Sequence, residues 1–256
     1  MTQEIQRQRH VPLLGTTNLR NLGGYHTNDG TKTTKWGVLY RCDQLAEVPP
    51  EMAQRVLVEQ LHIHEAYDLR GEKEVAAKSY DIPRITRHAI PVEPSQIDAF
   101  IKRGEDMSKG DVTFRAMQAV YRQLIVEYGA VFGSVIKSIL AGGPSPEKAA
   151  LIHCTGGKDR TGWVAYLILT LLDVKEEEKR SDYMLTNTYF RRPTTAFNYF
   201  GSMGADAMKS LYRVDEVFLD TALEEVDKLG GMAAYVKSYV GLTEEDIQQL
   251  RNTLLE

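Results

Sequence analysis

At 256 residues with 43% hydrophobic side chains, the chain has apolar material for one sizeable core, and its length favours a single domain, residues 1–256, over two large ones. A formal net charge of −4 gives no overall basic face, which removes compositional support for nucleic-acid binding, and two cysteines, Cys42 and Cys154, exclude a disulfide scaffold. Residues 1–10 are polar with no apolar leader core, and the longest apolar run, within 163–172, is too short for a bilayer. The expectation is therefore a cytoplasmic protein without an integral membrane segment, with secretion lacking a cleaved signal left open.

In chain order, residues 1–11 read as a frayed or loosely docked arm. Residues 18–25 lead to the turn signal Asp29-Gly30, and 38–41 read as a strand. Residues 51–60 place Met52, Val56 and Leu57 on one helical face. Residues 62–70 read as a strand ending in Asp68-Leu69-Arg70; His62 and His64 share a face there, but no third ligand has suitable spacing, and no metal is expected. Residues 84–90, between Pro83 and Pro91, are the next strand. Residues 95–140 read as helical with a break near 104–110, and Met117, Val120, Tyr121, Leu124 and Ile125 form a core stripe. A Gly/Pro linker at 142–146 precedes the apolar strand 149–152, and 163–172 read as a buried helix. Residues 175–179 open a charged helix, and 197–208 are weakly periodic. Residues 214–229 form an amphipathic helix ended by Gly230-Gly231, and 232–240 and 243–255 supply two more, the last with a good start at Thr243. This order predicts an α/β fold: a small central sheet of about four or five strands flanked by helices, with 174–256 as a helical C-terminal part.

The chemistry concentrates between the strand 149–152 and the helix 163–172. A strand that feeds a glycine-bearing loop into a helix N-terminus points backbone N–H groups at one spot, an anion site by geometry. Cys154 stands at its base, where the helix terminus and a nearby cation favour the nucleophilic thiolate. Arg160 offers a planar fork that matches two phosphoryl oxygens. Gly156 and Gly157 allow close amide approach, and the Thr161 hydroxyl is positioned to hydrogen-bond the sulfur. His153 is read as orienting the loop.

His153-Cys154, five residues, then Arg160-Thr161-Gly162 resemble the phosphate-binding loop of the protein tyrosine phosphatase superfamily. The form Gly157-Lys158-Asp159-Arg160-Thr161-Gly162 is similar to a bacterial branch whose members in some cases also act on phosphoserine, phosphothreonine and phosphoinositides. The segments NLRNLGGY and VLYRC, the Asp68-Leu69-Arg70 strand end, and the stretch around Asp182 and Tyr183 resemble the same branch. The resemblance implies a two-step phosphomonoester hydrolysis without cofactor or metal: Cys154 attacks phosphorus, Arg160 and the loop Thr155, Gly156, Gly157, Lys158 and Thr161 hold the phosphoryl oxygens, and water releases phosphate. For the leaving-group acid it offers Asp159 first, Asp68 second and Asp43 third, with Arg20 and Arg41 supporting the loop. It makes the 95–140 helical insertion, around 100–110, a candidate lid. The implied substrate is a phosphorylated protein or a phosphoinositide, with Lys158 either holding a second phosphate or raising the local potential. A non-catalytic phosphate-binding module is disfavoured by the intact cysteine, arginine and threonine. A cysteine protease fails because His153 and Cys154, adjacent on a strand end, point apart. Nothing in the sequence speaks to oligomeric state.

Overall fold

The computed structural model describes residues 2–192 and 204–256. The chain opens with α1 (Thr2–Gln6), β1 (Arg20–Asn21), β2 (Leu39–Cys42) and α2 (Pro50–Met52), which continues as a π-helical stretch, Ala53–Gln60. Next come β3 (Ile63–Asp68), α3 (Glu72–Ala77), β4 (Thr86–Ala89), α4 (Gln96–Lys102) and α5 (Gly110–Gly142). Then follow β5 (Ala149–His153), α6 (Arg160–Leu171), α7 (Glu176–Met184), α8 (Thr186–Tyr189) and α9 (Ala205–Tyr212). The chain ends with α10 (Glu216–Lys228), α11 (Met232–Tyr235) running into a π-turn Val236–Val240, and α12 (Glu244–Leu254).

The sheet is β1-β2-β5-β3-β4, antiparallel only at β1–β2. β5 is central and buried along its whole length because both faces of a parallel sheet must be covered. Ala149 and Leu151 pack on the face carrying Val56, Leu57 and Ile63. Ala150 and Ile152 face the larger cluster built from α5, α6, α10 and α12. Parallel register brings the C-terminal ends of β2, β5 and β3 to one edge, where the segments that follow them meet.

α5 spans 33 residues. Among the described residues it is the helix long and apolar enough, by length and composition, to cross a bilayer, yet Met117, Leu124, Phe132 and Ile136 lie inside the core. Gly133 lets it approach the π-turn, since a Cβ there would meet Val240 O at 1.9 Å.

The α/β architecture and five-stranded sheet agree with the sequence reading. Several details differ. The N-terminal arm is docked, not frayed: Asn21 N donates to Arg9 O at 2.9 Å, and the Arg9 guanidinium sits 3.8 Å from the Tyr25 ring centre. β1 is two residues long, too short to leave a periodic signal. Of the weakly periodic 197–208, residues 197–203 lie outside the described residues. The last helix starts as expected, with Thr243 Oγ1 accepting from Asp246 N and the Asp246 carboxylate accepting from Thr243 N.

Candidate active site

Cys154 follows the last residue of β5 and is 2% exposed, at the floor of a cleft of about 450 Å³. The cleft walls include Asp43, Glu74, Lys158, Asp159, Arg160 and Phe190. Loop 155–159 turns over the sheet edge, and Trp163 N bonds Asp159 O at 2.8 Å to close the first turn of α6.

The loop keeps its shape because its carbonyls are tied from behind. Gln44 N donates to Thr155 O at 3.1 Å. Asn18 Nδ2 donates to Gly156 O and Gly157 O at 3.2 and 3.1 Å, and Arg41 Nη2 to Gly157 O at 2.7 Å. Gly157 has φ +62°, and a Cβ there would fall 2.2 Å from Cys42 O, so glycine is required. Among the described residues, none of the amides from Thr155 to Arg160 meets a protein acceptor. A ring of unpaired N–H groups above a cysteine is an anion cradle.

Behind the loop lies a buried charge cluster. Arg20 Nε and Arg41 Nη1 donate to opposite oxygens of Asp182, at 3.0 and 2.7 Å, and Tyr25 Oη adds a third bond at 3.0 Å. Burial alone would raise the Asp182 carboxyl, but the two guanidinium groups hold it well below the usual carboxylate range. Burial and the neighbouring Arg41 together pull Arg20 down to about 10. Arg20 and Arg41, expected to support the loop, both sit against it, Arg20 through Asn18.

Arg160 is held by Glu74 on α3: Nη1 to Oε2 at 2.6 Å and Nη2 to Oε1 at 2.7 Å, with Nη1 also bonding Leu69 O and Val92 O. Burial opposes ionisation of Glu74, but Arg160, Thr155 and the Gly71 amide outweigh it and bring the carboxyl to about 2. The guanidinium Nε and the remaining Nη2 hydrogen have no protein acceptor among the described residues.

Asp159 borders the cleft. Its Oδ1 accepts from Tyr121 Oη at 2.8 Å, and Lys158 Nζ lies 2.9 Å from each carboxylate oxygen. Lys158 is thus committed to Asp159, and it does not stand free to take a second phosphate.

Asp68 departs from its expected place. It is fully buried, bonded to Arg70 Nη2 at 2.8 Å and Arg87 Nε at 2.7 Å, and does not line the cleft. Burial opposes its ionisation, but the Arg70 bonds, then the neighbouring His153 and the Arg70 charge, bring it to about 2, so it carries no proton to give near neutral pH. Asp43 lines the cleft, where burial raises its carboxyl, but its oxygens accept from Thr16, the Thr17 amide and the Asn18 amide. It shapes the turn that presents Asn18.

His153 lies 3.7 Å from Asp68, yet burial lowers it to about 4, so the contact is not an ion pair at neutral pH. The neutral ring fits Nδ1–H donating to Cys154 O at 3.3 Å and Nε2 accepting from Tyr80 Oη at 2.6 Å. Thr161 Oγ1 is buried without a hydrogen-bond partner, so the expected bond to the sulfur is not made here. The candidate lid at 100–110 contributes nothing to the cleft lining; among the described residues the covering wall comes from Phe190, Leu211 and Tyr212. The 95–140 stretch is mostly α5, a helix packed into the core.

Asn18, Glu74, Tyr121 and Asp182 were not foreseen as site residues. Asn18 and Asp182 stood inside the stretches that carry the family resemblance. Glu74 left no mark in the sequence, and Tyr121 read as one member of a core stripe.

The comparisons with known proteins bear on this geometry. A Cupriavidus necator protein provisionally named as a tyrosine-protein phosphatase is 25% identical over 98% of this chain and 90% of its own length. The triple specificity protein phosphatase PtpB of Mycobacterium tuberculosis is 28% identical over 70% of this chain and 69% of its own. A tyrosine-protein phosphatase of Nostoc commune is 32% identical over 40% of this chain and 38% of its own. The profile of the tyrosine phosphatase family matches residues 11–256, and the chain belongs to that family of phosphomonoester hydrolases.

Proposed function

We propose that the protein hydrolyses phosphotyrosine through a phosphocysteine. Cys154 Sγ attacks phosphorus as the ester oxygen leaves with a proton from Asp159; water then attacks phosphorus, Asp159 takes back a proton, and inorganic phosphate departs with the thiolate restored. The observation that carries this reading is the Arg160 fork. With Glu74 holding one N–H of each terminal nitrogen, Nε and the second Nη2 hydrogen remain as a parallel pair for two phosphoryl oxygens beside the loop amides.

The test is hydrolysis of p-nitrophenyl phosphate in EDTA, with Cys154→Ser expected to lose turnover while retaining phosphate binding. Undiminished activity in that variant overturns the cysteine mechanism. Arg160→Lys is expected to be severely impaired, because a point charge does not replace a bidentate fork.

A second reading extends the substrates to phosphoserine, phosphothreonine and phosphoinositides. It draws on the volume of the cleft and on the triple specificity in the name of the mycobacterial relative. A panel of phosphopeptides and inositol lipids tests it, and absent hydrolysis of all but phosphotyrosine removes it. A cytoplasmic setting belongs to the same proposal, since a reducing compartment suits a reactive thiol.

A further inference from the structure

Tyr121 lies on α5, and its side chain is fully buried. Phe218 on α10 stacks on the ring at 5.6 Å between centroids, and Tyr183 on α7 meets it edge-on at 6.5 Å. Phenylalanine would fill the same space, so packing does not account for the hydroxyl. That hydroxyl lies 2.8 Å from Asp159 Oδ1 and 2.7 Å from Tyr183 Oη, which reaches Asp215 O at 3.4 Å. A buried chain of two phenols thus runs from the α7–α10 contact to the one carboxyl group of the phosphate loop.

We propose that Tyr121 is a positioning residue for the leaving-group proton: by donating to Oδ1 of Asp159 from the core side, it prevents rotation of the carboxyl group and makes Oδ2, which Lys158 Nζ meets at 2.9 Å in the carboxylate, the oxygen that carries the transferred proton, the lysine contact giving way when that oxygen is protonated. This rests on the reading of Asp159 as the general acid. During phosphoryl transfer the S–P bond forms, the P–O ester bond breaks, and the proton moves from Asp159 Oδ2 to the departing oxygen. The carboxylate that remains keeps the Tyr121 bond and returns to the acid by taking a proton from the hydrolytic water.

The titratable and charged groups that share the cleft or the core contact with Asp159 are Lys158 and Cys154 from the loop, Arg160 from α6, Tyr121 from α5, Tyr183 from α7, Tyr212 from α9, and Asp43, Glu74 and Lys78 from the other cleft walls. Burial, reinforced by the Asp159 charge, holds both phenols far above their ordinary range, so they remain neutral donors throughout the working pH span. The Tyr121 bond is stronger to the carboxylate than to the carbonyl oxygen of the acid, so removing the hydroxyl costs the carboxylate left after transfer more than it costs the acid, and the proton is given up less readily.

The experiment compares Tyr121→Phe with the unmodified enzyme on phenyl phosphate and p-nitrophenyl phosphate. Expected are a loss of roughly tenfold in kcat on the poor leaving group, little change on the activated one, unchanged KM, and a basic limb of the pH profile moved upward. Equal losses on both substrates with an unmoved limb overturn the proposal, since a purely structural residue behaves that way. Asp159→Asn on the same pair separates the two readings: equal losses there remove Asp159 as the acid, whereas a selective loss there beside a Tyr121→Phe profile like the parent's removes Tyr121 alone. Should Tyr121→Phe fail to fold, as judged by circular dichroism, Tyr183→Phe is read instead; it is expected to move the limb less and in the same direction, and an unmoved limb counts against the proposal.

Discussion

Asp182 and Asp68 are two buried carboxylates on either side of the central strand, each clasped by two arginines, and they do different work. Asp182 joins Arg20 and Arg41, both fully buried, and Arg41 extends its other hand to Gly157 O in the loop. Asp68 joins Arg70, two residues on, and Arg87 of β4, whose side chain is 27% exposed, and the cluster ends against neutral His153. The first cluster is therefore long-range, linking strands, loop and the helical C-terminal part. The second is largely local and secures the end of β3. The role of a buried carboxylate here is set less by its own charge than by what its arginines touch next.

Removing Asp182 should test this contrast most severely. Asp182→Ala leaves Arg20 and Arg41 buried, facing each other without their carboxylate, and is expected to cost about 3–5 kcal/mol in urea unfolding, with activity falling as Arg41, which holds Gly157 O, loses its anchor. A loss below about 1 kcal/mol would show that the cluster relaxes or admits water, and the long-range description would fail.

The pH dependence of stability probes the Asp68 side. His153 has its folded value lowered to about 4 from the usual 6.5, so the unfolded chain binds its proton first as pH falls. Its contribution is fully present above about pH 6.5 and is lost as pH drops toward 4, on the order of 3 kcal/mol across that window. Asp68 also has a depressed value, about 2, and its contribution is lost only at lower pH, below about 4. Urea midpoints at pH 7, 5.5 and 4.5 should show the histidine loss first, and His153→Asn should flatten the curve over that range.

Asp68→Asn should have the smallest effect. Arg87 can turn to solvent and Arg70 keeps Lys78 O, so a loss of about 1–3 kcal/mol is expected. The catalytic signature matters more than the size: kcat should change by the same factor on phenyl and p-nitrophenyl phosphate. A selective loss on phenyl phosphate would restore Asp68 as an acid candidate and break the distinction drawn between the two clusters.

The site was legible in the sequence wherever chemistry is local. His153, Cys154, Arg160 and Thr161 lie within nine consecutive residues, and a strand, a glycine loop and a helix start need only neighbours to form. The acid assignment was not legible in the same way. Asp43, Asp68 and Asp159 all stand where loops follow strands, and what separates them is which donors reach each one: the 16–18 turn for Asp43, two arginines for Asp68, and a phenol from α5 for Asp159. Those donors lie 19 to 38 positions away from Asp68 and Asp159 in the longest cases. The candidate lid was illegible for a related reason. Lysines and glycines at 100–110 describe a segment that can be exposed, but not which cavity it would cover.

Sequence alone determined the α/β class, the strand that delivers Cys154 and the anion cradle, because apolar periodicity, turn chemistry and a short motif act over a few residues. Tertiary structure decided the rest. Glu74 meets Arg160 across 86 positions and Asp182 meets Arg41 across 141, and no local pattern encodes such pairs. Their energies come from burial, which depends on the packing of the whole chain: in water the same charges would attract weakly, and only inside the fold do they hold the loop in place.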